Sequence, residues 1–151
     1  MMHNLFKNVS VREVNAPVSA GSSIDDNSDI IDMQGWDGVM FIVPITDSVA
    51  TGVATLTVEQ NDDNSDTGMA ALSGANATAT CAVNDDLNDS LLVVDVYRPR
   101  ERYVQAVLTS ATANIAFGNT IAVLYNKKGK KPVSAHASIQ DSAVLASPSE
   151  A

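Results

Sequence analysis

Short β-rich runs broken by polar turn clusters are what most constrain this chain. GVMFIVPIT (Gly38–Thr46) is apolar on both alternating faces, which predicts a strand covered on both sides. Pro44 has no N–H to offer a ladder, so it predicts an edge or a bulge near that strand's end. VATLTVEQ (Val53–Gln60) alternates: Ala54, Leu56 and Val58 point one way, Thr55, Thr57 and Glu59 the other. Further strands are predicted at ATATCAV (Ala77–Val83), SLLVVDVY (Ser90–Tyr97), RYVQAVLT (Arg102–Thr109) and IAFGNTIAVLY (Ile115–Tyr125). Val104, Ala106 and Leu108 share one face, and Gly118 marks a bulge or bend. A weaker strand lies at DIIDM (Asp29–Met33), and NDDNSDTG, NDDLND and TSATAN supply turns. No segment sustains a helical period with caps, and one helical turn near Met69–Leu72 is the most the pattern allows. The expectation is an all-β fold, an antiparallel β-sandwich of about seven or eight strands, jelly-roll-like.

A length of 151 residues suits one domain. Its parts read as an N-terminal arm over 1–23 that is partly strand, a sandwich over 24–126 and an extended C-terminal tail over 127–151. The arm carries alternating apolar residues (Phe6, Val9, Val11, Val14), enough to pair as an edge strand. The tail is small, polar and Ser/Ala-rich, a composition that gains order only when something holds it. The expectation is that such arms lie on neighbouring copies. Apolar content is 45% but aromatics are only 5%, so the core should be thin and small-residued, with little for a large hydrophobic ligand to stack on.

Charge is divided along the chain. From Glu13 to Tyr97 there is no Lys or Arg but fifteen Asp and Glu; seven of the nine basic residues then fall between Arg98 and Lys131, against one acid, Glu101. Once folded, such a chain should present an acidic and a basic surface, through which copies meet. The net charge of −9 argues against nucleic acid as a partner, since phosphate binding needs an attractive field. The KKGKK stretch (Lys127, Lys128, Lys130, Lys131) is the one basic patch, and reads as a solvated turn or a contact for an acidic protein surface. No apolar run nears the ~20 residues that span a bilayer, so no membrane partner is expected. MMHNLFKNVSVREV lacks the apolar core of a secretory signal, and the single Cys81 excludes an intrachain disulfide; both predict synthesis in a reducing cytoplasm.

No catalytic constellation accompanies these features, so no enzyme and no cofactor are expected. DDNSDTG places Asp62, Asn64 and Asp66 at alternate positions, as a calcium loop does. But Thr67 stands where that loop needs Gly and Ser73 where it needs Glu, and turn chemistry accounts for the same residues. His3 and His136 lie in opposite terminal arms with no second ligand at metal spacing. Cys81 reads as a small buried hydrophobe mid-strand, without a base to activate it. Acids abound, but in turns, where solvated carboxylates are the rule.

Two segments suggest contact chemistry. Trp36, inside QGWDG, reads as a core edge or as an interface anchor. In YRPRERY (Tyr97–Tyr103), Pro99 sets a turn from which Arg98, Arg100 and Arg102 fan outward while Tyr97 and Tyr103 cover the sandwich. Such arginines suit bidentate pairing with carboxylates across an interface, or pairing within the chain to Asp95 or Glu101.

Four segments, IDMQGWDGVMFIV, VEQNDDNSDT, RERYVQAVLT and IAVLYN, together resemble small β-sandwich virion proteins of tailed bacteriophages, across about Asp29–Asn126. In particular the chain resembles proteins that decorate or cement the head shell. The resemblance implies a homo-oligomer, dimer or trimer, bound to the major capsid protein on the virion surface, with no enzyme activity and no cofactor. It carries over no catalytic residue. The contact candidates, Trp36, Arg98, Arg100, Arg102, Tyr103, Lys127, Lys128, Lys130 and Lys131, rest on chemistry alone. A head–tail connector or tail component, and a carbohydrate-binding module, are the alternative functions.

Overall fold

A computed structural model describes residues 4–146 and 149. Within them the chain is all-β, with strand segments β1 (Ser10–Asn15), β2 (Val18–Gly21), β3 (Asp25–Asn27), β4 (Ile31–Asp32), β5 (Trp36–Ser48), β6 (Val53–Asn61), β7 (Ala70–Thr80), β8 (Ser90–Tyr97), β9 (Tyr103–Ala111), β10 (Ile115–Phe117) and β11 (Thr120–Lys127). They form two antiparallel sheets packed face to face as a sandwich. In the first sheet β5 is flanked by β8 on one side and by β10 and β11 on the other, with β2 and β1 outermost. In the second, β9 lies between β6 and the short pair β3 and β4, and β7 forms the far edge.

Three of these runs are single strands broken by an irregularity: β1 with β2, β3 with β4, β10 with β11. Joined, they give eight strand positions, and the pairing is nested. The first position pairs the eighth, the second the seventh, the third the sixth and the fourth the fifth. That is a jelly roll, one long hairpin rolled over a common core.

The inward face of each strand is the one its alternation predicts. Ala54, Leu56 and Val58 of β6 and Val104, Ala106 and Leu108 of β9 are buried, opposite Val39, Phe41, Val43 and Ile45 of β5. Pro44 sits in a central strand, not at an edge. Its carbonyl accepts from the Gly118 N–H at 2.8 Å, so its missing N–H falls where β10 gives way to β11. The predicted strand Ile115–Tyr125 is thus two segments, with Gly118 in the break.

Other expectations need correction. Met69–Leu72 is not helical: Ala70 and Ala71 already pair with Gln60 and Glu59 at the start of β7, and four residues cannot meet the cost of nucleating a helix. Cys81 lies just past the end of β7, not mid-strand; it is buried, its thiol meets the Val83 carbonyl at 2.9 Å, and burial pushes its pKa up. The DIIDM strand shrinks to β4, and β3 was not anticipated.

The terminal segments are tied to the body. Residues 10–21 of the expected arm are β1 and β2, paired along β11 and β10. The start of the tail lies along this chain's own β1. The buried Val133 donates its N–H to the Lys7 carbonyl at 2.9 Å, and Glu13 N–H reaches Ser138 Oγ at 3.2 Å. The tail therefore runs parallel to β1 along its outer edge, where unpaired backbone groups favour a covering segment. His3 and tail residues 147, 148, 150 and 151 lie outside the described residues.

Thr120, at the start of β11, is fully buried and its hydroxyl has no partner among the described residues. A buried unsatisfied hydroxyl costs about 1–3 kcal/mol. Thr120→Val keeps the shape and removes the hydroxyl, so it is expected to raise stability by about 1 kcal/mol in urea unfolding. A net loss would mean that the hydroxyl is hydrogen-bonded in solution.

Candidate interaction site at one end of the sandwich

Jelly-roll connectivity sorts the loops into two ends, and charge follows. One end holds the β2–β3, β5–β6, β7–β8 and β9–β10 connections. No Lys or Arg occurs in any of them, while Asp85, Asp86 and Asp89 are exposed in the β7–β8 loop beside exposed Asp47. The opposite end holds the β4–β5, β6–β7 and β8–β9 connections and the end of β11. Eight of the nine basic residues gather there; Arg12 alone lies away from it, within β1 opposite Ala122. This end is mixed, not purely basic, because Asp32, Asp37, Asp62 and Glu101 share it.

The start of the β8–β9 loop is held through its backbone N–H groups, which leaves the Arg98 and Arg100 side chains free among the described residues. The Arg98 N–H donates to the Asp37 carbonyl at 2.6 Å, with Arg98 at φ 53 where the chain turns off β8. Gln60 Oε1 accepts from the N–H groups of Arg100 (3.1 Å) and Glu101 (3.4 Å). Trp36, Arg98, Arg100, Arg102 and Lys128 then line one open cavity of about 710 Å³. Five of the predicted contact residues are thus brought together.

Their states differ. Arg102 is already engaged: its Nε and one terminal nitrogen fork onto Asp32 at 2.8 and 2.7 Å, and Gln34 Oε1 accepts at 2.6 Å. This guanidinium holds the Asp32 carboxyl at about 2, well below its ordinary range. The intrachain partner is therefore Asp32, not Asp95 or Glu101. Lys128 pairs with Asp37 at 3.2 Å, and Asn126 Nδ2 holds the other Asp37 oxygen at 2.8 Å. Arg98 and Arg100 are exposed and make no ion pair among the described residues. Arg98 lies over the Tyr97 ring at 5.1 Å, and Arg102 over Tyr103 at the same distance. Tyr97 is 56% exposed and does not cover the sandwich, while Tyr103 is half-buried. Trp36 opens β5 partly buried against the core, with one flank on the cavity.

Lys127, Lys130 and Lys131 lie apart from this group. They line a second cavity of about 620 Å³ together with Lys7, Tyr125 and Val133, where the tail bends back past β1. Lys127 Nζ is spent on the Lys131 carbonyl at 3.0 Å. The acidic turn is likewise occupied: Asp66 accepts from Asn27 and Gln105, both at 2.8 Å, and Asn61 donates to the carbonyls of Ser65 and Thr67. Among the described residues no cluster of His, Cys, Asp and Glu is arranged to hold a metal.

Sequence reasoning missed Asp32, Gln34, Asp37 and Gln60. Only the strand pairing reveals them, Asp32 standing opposite Tyr103 and Gln60 opposite Val104. No protein-family model, no curated protein and no solved structure matches this chain.

The depressed Asp32 pKa has a sign. A carboxyl whose folded pKa lies below its unfolded value stabilises the fold above the unfolded pKa, and that stability is lost as pH falls through the folded one. Asp32→Asn is therefore expected to cost under about 1 kcal/mol at pH 7, because the pair is surface-exposed. The difference from wild type should shrink between about pH 4 and pH 2. Urea midpoints measured across that range check it; a constant difference would show that the loss does not depend on the charge of the Asp32 carboxylate.

Proposed function

We propose that this chain is a structural protein of a tailed-bacteriophage virion, a decoration or cement protein that binds the capsid shell and stabilises it, with no catalytic role. The observation that carries the reading is the axial division of charge: one end bears only acids, and the other offers two arginines with no ion pair among the described residues, on a loop fixed by Gln60 and Asp37. The jelly-roll order adds support, since capsid and lectin domains use it, although a fold alone assigns no function. In this reading Arg98 and Arg100 face carboxylates of the major capsid protein, and further copies of the chain are the second partner. Stabilisation is mass action, because a ligand bound only by the assembled lattice raises the free energy of disassembly. Synthesis is in the host cytoplasm and residence on the capsid surface; nucleic acid, membrane and cofactor play no part.

Copy number in purified virions, read from a stained gel, tests it. Decoration requires on the order of hundreds of copies per particle, whereas about six or twelve would signify the ring of a connector or tail component. Absence from particles overturns the virion reading. A carbohydrate-binding module is the remaining alternative, and a strong glycan-array hit that depends on Trp36 would favour it. For a decoration protein, attachment should weaken with rising salt, and Arg98→Glu with Arg100→Glu should slow association.

A further inference from the structure

The two sheets have four outer edges, and three carry the protections that natural sheets use. The β1 edge is covered by the tail through Val133 and Ser138. The edge formed by β3 and β4 is broken into runs of three and two residues. The β7 edge carries a register shift and a glycine, Gly74, at φ 78. β8 has none of these devices. It pairs with β5 without interruption from Tyr97 opposite Gly38 to Ser90 opposite Ile45, and SLLVVDVY contains no Pro, Gly or Lys.

The direction of its backbone groups follows from β5. The Asp37 and Ile45 carbonyls accept from the β8 side, while the Pro44 carbonyl accepts from Gly118 on the other. Odd-numbered β5 residues therefore face β8, and their partners in β8 are the even-numbered ones. This leaves the N–H and C=O groups of Leu91, Val93, Asp95 and Tyr97 aimed at the free edge. The same four place their side chains on the outer face, where Leu91 is 59%, Val93 44% and Tyr97 56% exposed.

We propose that β8 pairs antiparallel with β8 of a second copy across a two-fold axis, joining the two first sheets into one continuous eight-stranded sheet. The strand is its own complement. Two-fold antiparallel pairing always sets odd residues against odd ones, so outward side chains meet outward ones and free backbone groups meet free backbone groups. With Val94 at the axis, Leu91 of one copy faces Tyr97 of the other, and Val93 faces Asp95. Centring the pair on Asp95 would oppose two carboxylates, so that register is disfavoured. Asp95 is otherwise held by the Tyr125 hydroxyl at 2.7 Å, which draws the strand's only charge toward β11 and away from the edge. An extended foreign peptide would satisfy the same backbone groups, but β8 offers no basic group or pocket pattern within the strand to select one.

The test uses the full chain, with no capsid present, so it stands or falls separately from the virion reading. Sedimentation velocity over about 1–100 μM should show a species of twice the 15.8 kDa chain mass, as expected of a micromolar dissociation constant. Val93→Glu sets a second carboxylate opposite Asp95 of the other copy, and Val93→Pro removes an N–H that β5 does not use. Each should stay folded by circular dichroism and weaken dimerisation at least about tenfold, roughly 1.4 kcal/mol. Amide exchange at Val93 and Asp95 should slow as the dimer fills. A wild-type monomer at about 100 μM overturns the proposal. So does undiminished dimerisation of folded Val93→Glu, or a monomer whose β8 amides are protected only by an added extended peptide.

Discussion

Phe41→Ala is expected to lower the unfolding free energy by about 3–5 kcal/mol, a large share of the roughly 5–15 kcal/mol available to a domain. Phe41 is the largest fully buried side chain of β5 and sits in the core cluster with residues from both sheets. Aromatics are scarce in this chain, and Phe117 is the one other fully buried ring of the core cluster, so little can move in to fill the space. The lost contacts and the residual cavity therefore add. At this length each kcal/mol corresponds to about 2–4 °C in melting temperature. Met40→Ala, one residue away on the outer face, is the control and should cost far less, because Met40 is only half-buried. Equal losses measured by urea unfolding would mean that the outer face of the first sheet is covered in solution, as the doubly apolar β5 sequence implies.

How far the fold was legible follows from that strand. Alternation identified the inward faces of β6 and β9 residue by residue, because burial on one face imposes a period of two. β8 was placed at both ends, since its continuous β-branched and leucine run is bounded by Asp89 and Pro99. The failures came where local pattern yields to tertiary pairing. Ala70 and Ala71 carry no β signal of their own and become strand because Glu59 and Gln60 stand opposite. β3, Asp25–Asn27, is polar and reads as a turn; only its partners Thr109, Leu108 and Val107 extend it.

The site was legible in chemistry but not in geometry. A run of three alternating arginines around a proline marks an exposed loop, and all three are exposed. Which of them stays available could not be read from the sequence. Asp32 lies 70 residues from Arg102 and meets it only because the second and seventh positions of the jelly roll are neighbours. The lysine run behaved in the opposite way. It reads as one patch, yet Lys128 turns toward Asp37 while Lys127, Lys130 and Lys131 line the bend where the tail folds back. A tail that composition predicts to be loose is held by a backbone hydrogen bond from Val133 and by a serine, neither of which carries a periodic signal.

Gly118→Ala should cost about 1–3 kcal/mol although it adds a single methyl group. A Cβ at this position would stand 2.6 Å from Pro44 Cγ and 3.4 Å from Thr46 Cγ2. The proline ring cannot rotate away, because it is closed onto its own backbone in the middle of β5. The strain must instead open the junction of β10 and β11, where the Gly118 N–H already serves the Pro44 carbonyl and no reciprocal N–H exists. A double-mutant cycle isolates the clash. Pro44→Ala removes the ring that the new methyl would strike, so the Gly118→Ala penalty should fall by at least about 1 kcal/mol in that background. An unchanged penalty would place the cost in the glycine's backbone conformation and not in the Pro44 contact. Gly118 is not among the glycines with positive φ, so that second explanation starts without support.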